Sequence, residues 1–249
     1  MAVYADDDAV PHLVLDAGTG LSALPDLLDG AAFTGTIVLS HLHWDHVQGL
    51  PFCRAVDRTE ARVSLYVPVG SPGDDPEALL ARGFSPPHFP IGPDGLLGEW
   101  RFLPLTEGRV DGTVTVARVA HKGGPAFGIR VELDGSSLAY LPDHAVHGST
   151  SSADLASARR LIEGADVLVH DGQFLAAEVD VARAYGHATI EQVLGLADEC
   201  RVGAVVLTHH APTRTDAALD ELAVRFTRSP GGRPVTFARQ WEDLHVPGE

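Results

Sequence analysis

His41-Leu42-His43-Trp44-Asp45-His46 places three imidazoles and a carboxylate within six residues, directly after the apolar run Thr36 to Ser40. That run reads as a buried strand, so the histidines stand in the loop at its end. Imidazole and carboxylate together suit a divalent metal, and neighbouring loop side chains fan out in different directions. His41 and His43 can therefore serve one ion while Asp45 and His46 face a second. The competing view, a histidine-rich surface loop, leaves the spacing and the preceding strand unexplained. Four positions cannot complete two ions, so the rest of the chain must supply ligands. Three candidates each follow a predicted strand: His121 after Val114 to Ala120, Asp143 after Leu138 to Leu141, and His209 after Val205 to Leu207. Asp143, with two carboxylate oxygens, suits a bridging position, while His121 and His209 would complete one metal each.

The 249 residues, 45% hydrophobic and 21% charged, fit one globular domain spanning 1–249. Apolar runs fall far short of the roughly 20 residues that cross a bilayer, and Met1 to Asp8 is acidic, so neither a membrane span nor a signal peptide is expected. Cys53 and Cys200 lie far apart and form no redox or zinc motif, which points to a reducing, cytoplasmic setting. A net charge of −16, with Lys122 the only lysine, repels phosphate backbones and argues against nucleic acid as a partner. The 13 histidines are the unusual feature of the composition.

Short β-branched runs alternate with Ala/Leu-rich segments. Strands are expected at Val10 to Asp16, Thr36 to Ser40, Val63 to Val67, Trp100 to Leu103, Thr113 to Ala120, Phe127 to Leu133, Ser137 to Leu141, Val167 to His170, Ala204 to Leu207 and Val235 to Ala238. Helices are expected at Leu21 to Leu28, Pro76 to Arg82, Ala153 to Glu163, Ile190 to Cys200 and Asp216 to Arg228. The loop-rich stretch Val69 to Gly98 can form a lid. Two sheets packed face to face with helices outside would bury this many apolar strands.

The HxHxDH stretch, matched in full by His41, His43, Asp45 and His46, resembles the metallo-β-lactamase fold superfamily. His121, Asp143 and His209 follow in the order of its third histidine, bridging aspartate and last histidine. The resemblance implies an α/β (α+β) fold, a four-layer αββα sandwich of two mixed sheets with helices on the outer faces. It also implies two divalent ions, with zinc the default and manganese or iron the alternatives. The first would take His41, His43 and His121, the second Asp45, His46 and His209, with Asp143 shared. Asp16, in Leu15-Asp16-Ala17-Gly18, matches an aspartate that orients a ligand.

Hydrolases resembling glyoxalase II, lactonases and lactamases carry a Thr-Pro-Gly-His type segment at the third histidine, and this chain does not. His121-Lys122-Gly123-Gly124-Pro125-Ala126-Phe127-Gly128-Ile129-Arg130 instead resembles the phosphodiesterase branch, which includes ribonuclease Z and the phosphoribosyl cyclic phosphodiesterases. Lys122 and Ile129 depart from that pattern. Val169-His170-Asp171-Gly172-Gln173-Phe174, Gly186-His187-Ala188-Thr189 and Thr208-His209-His210-Ala211-Pro212 resemble further segments of the same branch. The activity implied is phosphodiester hydrolysis by hydroxide held between the ions, with Asp45, Asp171 and His187 as the catalytic set. His187 would protonate the leaving group, and Asp171 would orient it and keep it cationic. The alternative role for His187 is a helix cap.

Ribonuclease Z carries a long tRNA-gripping arm between its third histidine and bridging aspartate. Only 21 residues separate His121 from Asp143 here, and two predicted strands need them. A small or cyclic phosphodiester is the expected substrate. Relatives also carry an extra strand ahead of Leu13 to Leu21, so an edge of the first sheet is expected to be missing or short, and a homodimer would cover it. The alternatives are a lactone or thioester hydrolase of the same fold, or a noncatalytic metal-binding scaffold. Lys122 and Arg130 are equally open to substrate phosphate or solvent, Trp44 is expected to pack behind the ligand loop, and His144, His147, His170 and His210, beside predicted ligands or strand ends, are set aside because adjacent strand residues point to opposite faces and need not enter the site.

Overall fold

The unbroken apolar character of Thr36 to Ser40 suits a parallel sheet covered on both faces. The computed structural model describes residues 1–5, 8–146 and 152–246, and it divides into two units, Met1–Thr106 and Glu107–Glu249. In the first unit, β1 (Ala2–Val3), β2 (Leu13–Leu15), β3 (Thr34–Val38), β4 (Arg62–Pro68) and β5 (Glu99–Leu105) follow one another across the sheet. β1 runs antiparallel to β2 and the other pairs are parallel. Parallel neighbours need crossovers. These carry the short helices α1 (Leu24–Leu27), α2 (Trp44–Val47) and α3 (Pro76–Ala81).

The pairing of β2 with β3 sets Leu15 opposite Val38. The residues that follow, Asp16 and the segment Leu39 to His41, therefore emerge together at the carboxyl edge, where parallel sheets place their ligand sites. Leu15, Phe33, Ile37, Leu39, Leu50 and Leu65 are fully buried at the centre of this unit. The Val69 to Gly98 stretch is anchored rather than free to act as a lid, because Leu80, Phe84 and Leu96 lie in the same core.

The second unit holds β6 (Gly108–Arg109), β7 (Val114–Arg118), β8 (Phe127–Leu133), β9 (Ser136–Leu141), β10 (Val167–Asp171), β11 (Ala204–Thr208) and β12 (Val235–Phe237). β6 to β9 form an antiparallel meander, and β9, β10, β11 and β12 pair in parallel. Asp134 and Gly135, both at positive φ, make the two-residue turn between β8 and β9 that matches the twist of the strands. The parallel strands are joined through α4 (Ser152–Ile162), α5 (Val179–Tyr185), α6 (Ile190–Glu199) and α7 (Asp216–Arg225). α6 starts at a capping box between Thr189 and Gln192 and buries Ile190, Val193, Leu194, Leu196 and Ala197. Each large aliphatic side chain among these contributes about 1.5–3 kcal/mol by leaving water.

The α/β class and the two mixed sheets agree with expectation, and Phe127–Leu133 agrees to the residue. Two helices depart from the sequence reading: Trp44–Val47, expected as loop, is the short helix α2 carrying Asp45 and His46, and α5 is missed because its sequence VDVARAY carries no apolar stripe and buries only Ala182. The expected helix Leu21 to Leu28 is instead a 3₁₀ turn, Thr19–Ala23, followed by α1, with Pro25 at the junction.

Candidate metal centre

In the first unit the histidine loop is held by a single carboxylate. Asp16 sits at φ 59°, a left-handed conformation rare outside glycine and often found at functional positions. One of its oxygens accepts from the Ser40 main-chain N–H at 2.6 Å. The other accepts from the Ser40 hydroxyl at 2.8 Å and from His46 Nδ1 at 2.7 Å. Burial by itself raises the Asp16 carboxyl, but the hydrogen bonds from His46 and Ser40 and the nearby imidazoles outweigh it and hold the group below its ordinary value. The carboxylate is ionised and can only accept, so His46 carries its proton on Nδ1.

The same logic reaches His41. The Ser40 hydroxyl gives its hydrogen to Asp16, so at 3.0 Å it accepts from His41 Nδ1. One carboxylate thereby fixes the tautomer of two imidazoles, which as neutral rings present Nε2 as a lone pair, the form a metal requires. The rings cluster, with centroids of His41 4.5 Å from His43 and 4.1 Å from His46. His46 Nε2 lies 3.4 Å from an Asp45 carboxylate oxygen. The loop can press this closely on the Asp16 turn because residue 18 is glycine: a Cβ there would stand 2.1 Å from the Asp45 carbonyl oxygen. Trp44 departs from expectation. It is 67% exposed, so most of its surface faces solvent.

In the second unit three parallel strands end side by side, and the residues just past β9 and β11, Asp143 and His209, stand beside Asp171 at the end of β10. His209, like Asp16, is a non-glycine at positive φ, here 49°. His121 Nδ1 donates to the Gly186 carbonyl at 2.9 Å; in the neutral ring this makes Nε2, 3.4 Å from an Asp143 oxygen, the lone-pair nitrogen. His209 Nε2 lies 3.5 Å from the other Asp143 oxygen. A lone-pair nitrogen facing a carboxylate oxygen at such a distance repels it unless a cation lies between. This arrangement occurs at His121 with Asp143 and again at His46 with Asp45, so the donor set fits divalent metal in both units.

His187 stands with these groups. Its Nε2 is 4.0 Å from Asp143, its ring stacks on His209 with centroids 5.3 Å apart, and its Nδ1 faces Asp171 at 3.4 Å. Asp143, His187 and His209 offer ligand atoms all within 4.8 Å of one another, so His187 also has the position of a ligand. It is not a helix cap, because Thr189 fills that place on α6. Its approach depends on Gly186, which ends α5 at φ 83° and where a Cβ would meet the Lys122 main-chain nitrogen at 2.7 Å.

The two cations weighed as phosphate contacts are engaged elsewhere. Lys122 Nζ donates to the Ala184 carbonyl at the end of α5, and Arg130 donates to the Leu161 and Glu163 carbonyls at the end of α4. Both satisfy carbonyls that helix ends leave open. His12 contacts the Thr34 carbonyl, His210 stacks on Phe237 with burial pushing its pKa down, and His88 and His245 are exposed. His147 lies outside the described residues. His144 and His170 are fully buried and meet each other beside Asp171. Strand alternation in the sequence gives no sign of that contact.

The family model described as the beta-lactamase superfamily domain matches residues 9–210. A ribonuclease Z of Exiguobacterium sp. is 47% identical over 53 residues, 21% of this chain and 18% of the relative. That match spans less than a fifth of the relative's length. A ribonuclease Z of Shouchella clausii is 28% identical over 226 residues, covering 70% of this chain and 68% of the relative. Among solved structures, the short form of human tRNase Z is similar with a TM-score of 0.66 at 21% identity, covering 99% of this chain and 91% of that one. At that identity the likeness concerns the fold.

Proposed function

This chain belongs to the beta-lactamase superfamily, and from that premise we propose that it is a metal-dependent phosphodiesterase. The observation that carries the proposal is His121 Nε2 facing one Asp143 oxygen at 3.4 Å while its Nδ1 is taken up by the Gly186 carbonyl, with His209 Nε2 3.5 Å from the other Asp143 oxygen. The proposed ligands are His41, His43, Asp45 and His46 from the first unit and His121, Asp143 and His209 from the second. Two ions, zinc in the first place, match the number and kind of donors. Bound divalent ions would lower the pKa of water and offset charge on the phosphoryl oxygens.

The chain's own residues have separable tasks. Asp16 sets the tautomers of His41 and His46. Asp171 orients His187 through Nδ1, which leaves Nε2–H to protonate the departing alkoxide as the P–O bond breaks. Asp45 belongs to this catalytic set as the acidic member of the histidine loop.

A small or cyclic diester is the proposed substrate. β8 and β9 occupy most of the 21 residues between His121 and Asp143, so no gripping arm is inserted there, and the net charge of −16 disfavours a long polyanion. The expectation that nucleic acid is an unlikely partner has no support from the relatives, whose name is that of a ribonuclease. RNA therefore belongs in the assay. A reducing compartment such as the cytoplasm suits Cys53 and Cys200, which are free and buried.

The test is a substrate panel with metal-loaded protein: an aryl phosphodiester, a 2′,3′-cyclic nucleotide, a short RNA, a lactone and a thioester. Diester turnover that a chelator abolishes and added metal restores is the expected result. RNA cleaved in preference to the small diesters would overturn the size of the substrate and keep the chemistry. Turnover of the lactone or thioester alone would overturn the phosphodiesterase assignment.

A further inference from the structure

Asp171 is fully buried, and its carboxylate is held on one side only. Oδ2 accepts from the His144 main-chain N–H at 3.2 Å and faces His187 Nδ1 at 3.4 Å, whereas Oδ1 has no hydrogen-bond partner among the described residues. A buried carboxylate supported so sparsely depends strongly on each donor it has. The placement of His144 thus decides where Asp171, and therefore His187, points.

What places His144 is a second histidine. The pairing of β9 with β10 ends at Leu141 opposite His170, so Pro142, Asp143 and His144 lie beyond the last rung of the ladder. Past that rung, a side-chain bond fastens the segment to β10: His144 Nδ1 and His170 Nε2 are 3.0 Å apart, with both residues at 0% exposure. The direction of the bond follows from its other end. His170 Nδ1 lies 3.2 Å from the Asp171 carbonyl oxygen, which can only accept, so Nδ1 carries the proton. His170 Nε2 must then accept, and His144 donates from Nδ1. Burial holds His170 neutral, which agrees with this assignment.

We propose that His144 and His170 form a brace of fixed tautomers that holds Asp171, and through it His187, for proton donation, making His170 a positioning residue. The inference rests on the phosphodiesterase reading for the role of His187. The brace itself rests on the His144–His170 and His170–Asp171 contacts between buried groups, and stands apart from that reading.

Two experiments test it. In the metal-free protein, imidazole ¹⁵N NMR is expected to show both His144 and His170 protonated on Nδ1. A proton on His170 Nε2 would overturn the brace. In the metal-loaded enzyme, His170→Asn is compared with wild type on two diesters, one with a nitrophenolate leaving group that needs no proton and one with an alkoxide that does. The expected result is a kcat loss about tenfold greater on the alkoxide ester, with KM unchanged. Equal loss on both esters, or none on either, would overturn the positioning role. If His170→Asn fails to fold, His144→Leu, which keeps the main-chain donor and loses the ring, carries the same comparison. A wild type inactive on both esters would overturn the phosphodiesterase reading and the positioning role with it. The NMR result would then decide the brace alone.

Discussion

The first unit gathers its candidate ligands in six consecutive residues, whereas the second draws them from the ends of separate strands. In the first, one carboxylate, Asp16, fixes the tautomers of His41 and His46. In the second, each donor is fixed by a different backbone feature: the Gly186 carbonyl for His121, the end of β10 for Asp171, the turn after α5 for His187. A local cluster asks little of the fold beyond one strand end. A dispersed one cannot form until the whole sheet has, so substitutions in the second unit should affect stability and chemistry together.

Gly186→Ala should show this coupling most strongly. It forces a side chain into a left-handed position and against the Lys122 backbone, which costs about 2 kcal/mol or more. Both Tm and turnover should fall. An unchanged Tm with lost turnover would break the comparison. Asp16→Asn should weigh more on the metal than on the fold. Asparagine tolerates positive φ, but its NH2 group faces a donor where the carboxylate accepts, so stability falls by about 1–3 kcal/mol while metal affinity drops about 10- to 100-fold in a competition titration.

A smaller effect concerns pH. Burial depresses the folded-state pKa of His170 below its ordinary 6.5, so the unfolded chain takes up the proton first. The stability due to its neutral form is complete above pH 6.5 and is lost as pH falls from there through the folded-state value. The slope is at most about 1.4 kcal/mol per pH unit, and His170→Asn should flatten it in denaturant titrations at a series of pH values. Smallest of all, Lys122→Met should lower stability by less than about 1 kcal/mol, because an exposed donor at a helix end is worth no more. A large loss of substrate affinity in Lys122→Met would instead return this lysine to the role of a phosphate contact.

The contrast between the units also explains what the sequence discloses. The strands before His41, Asp143 and His209 are continuous apolar runs that can be read directly, and the ligand candidates stand out at their ends. α5 leaves no such trace, because a helix exposed along most of its length needs no apolar stripe. Trp44 is misjudged because an aromatic residue beside ligands normally packs, and here it stands in solvent. His144 and His170 are set aside in the sequence as residues with no part in the site, yet both are fully buried and meet, a contact that depends on the register of β9 against β10, which local alternation does not encode. Lys122 and Arg130 look like anion contacts by charge, and only the tertiary fold shows which helix ends they serve.

The most direct test is the metal content of wild type and of Asp143→Ala, measured by elemental analysis alongside phosphodiester turnover. Wild type should hold two equivalents of divalent metal and be active, and Asp143→Ala should hold at most one and be inactive. An Asp143→Ala protein with two equivalents and wild-type turnover would contradict the account.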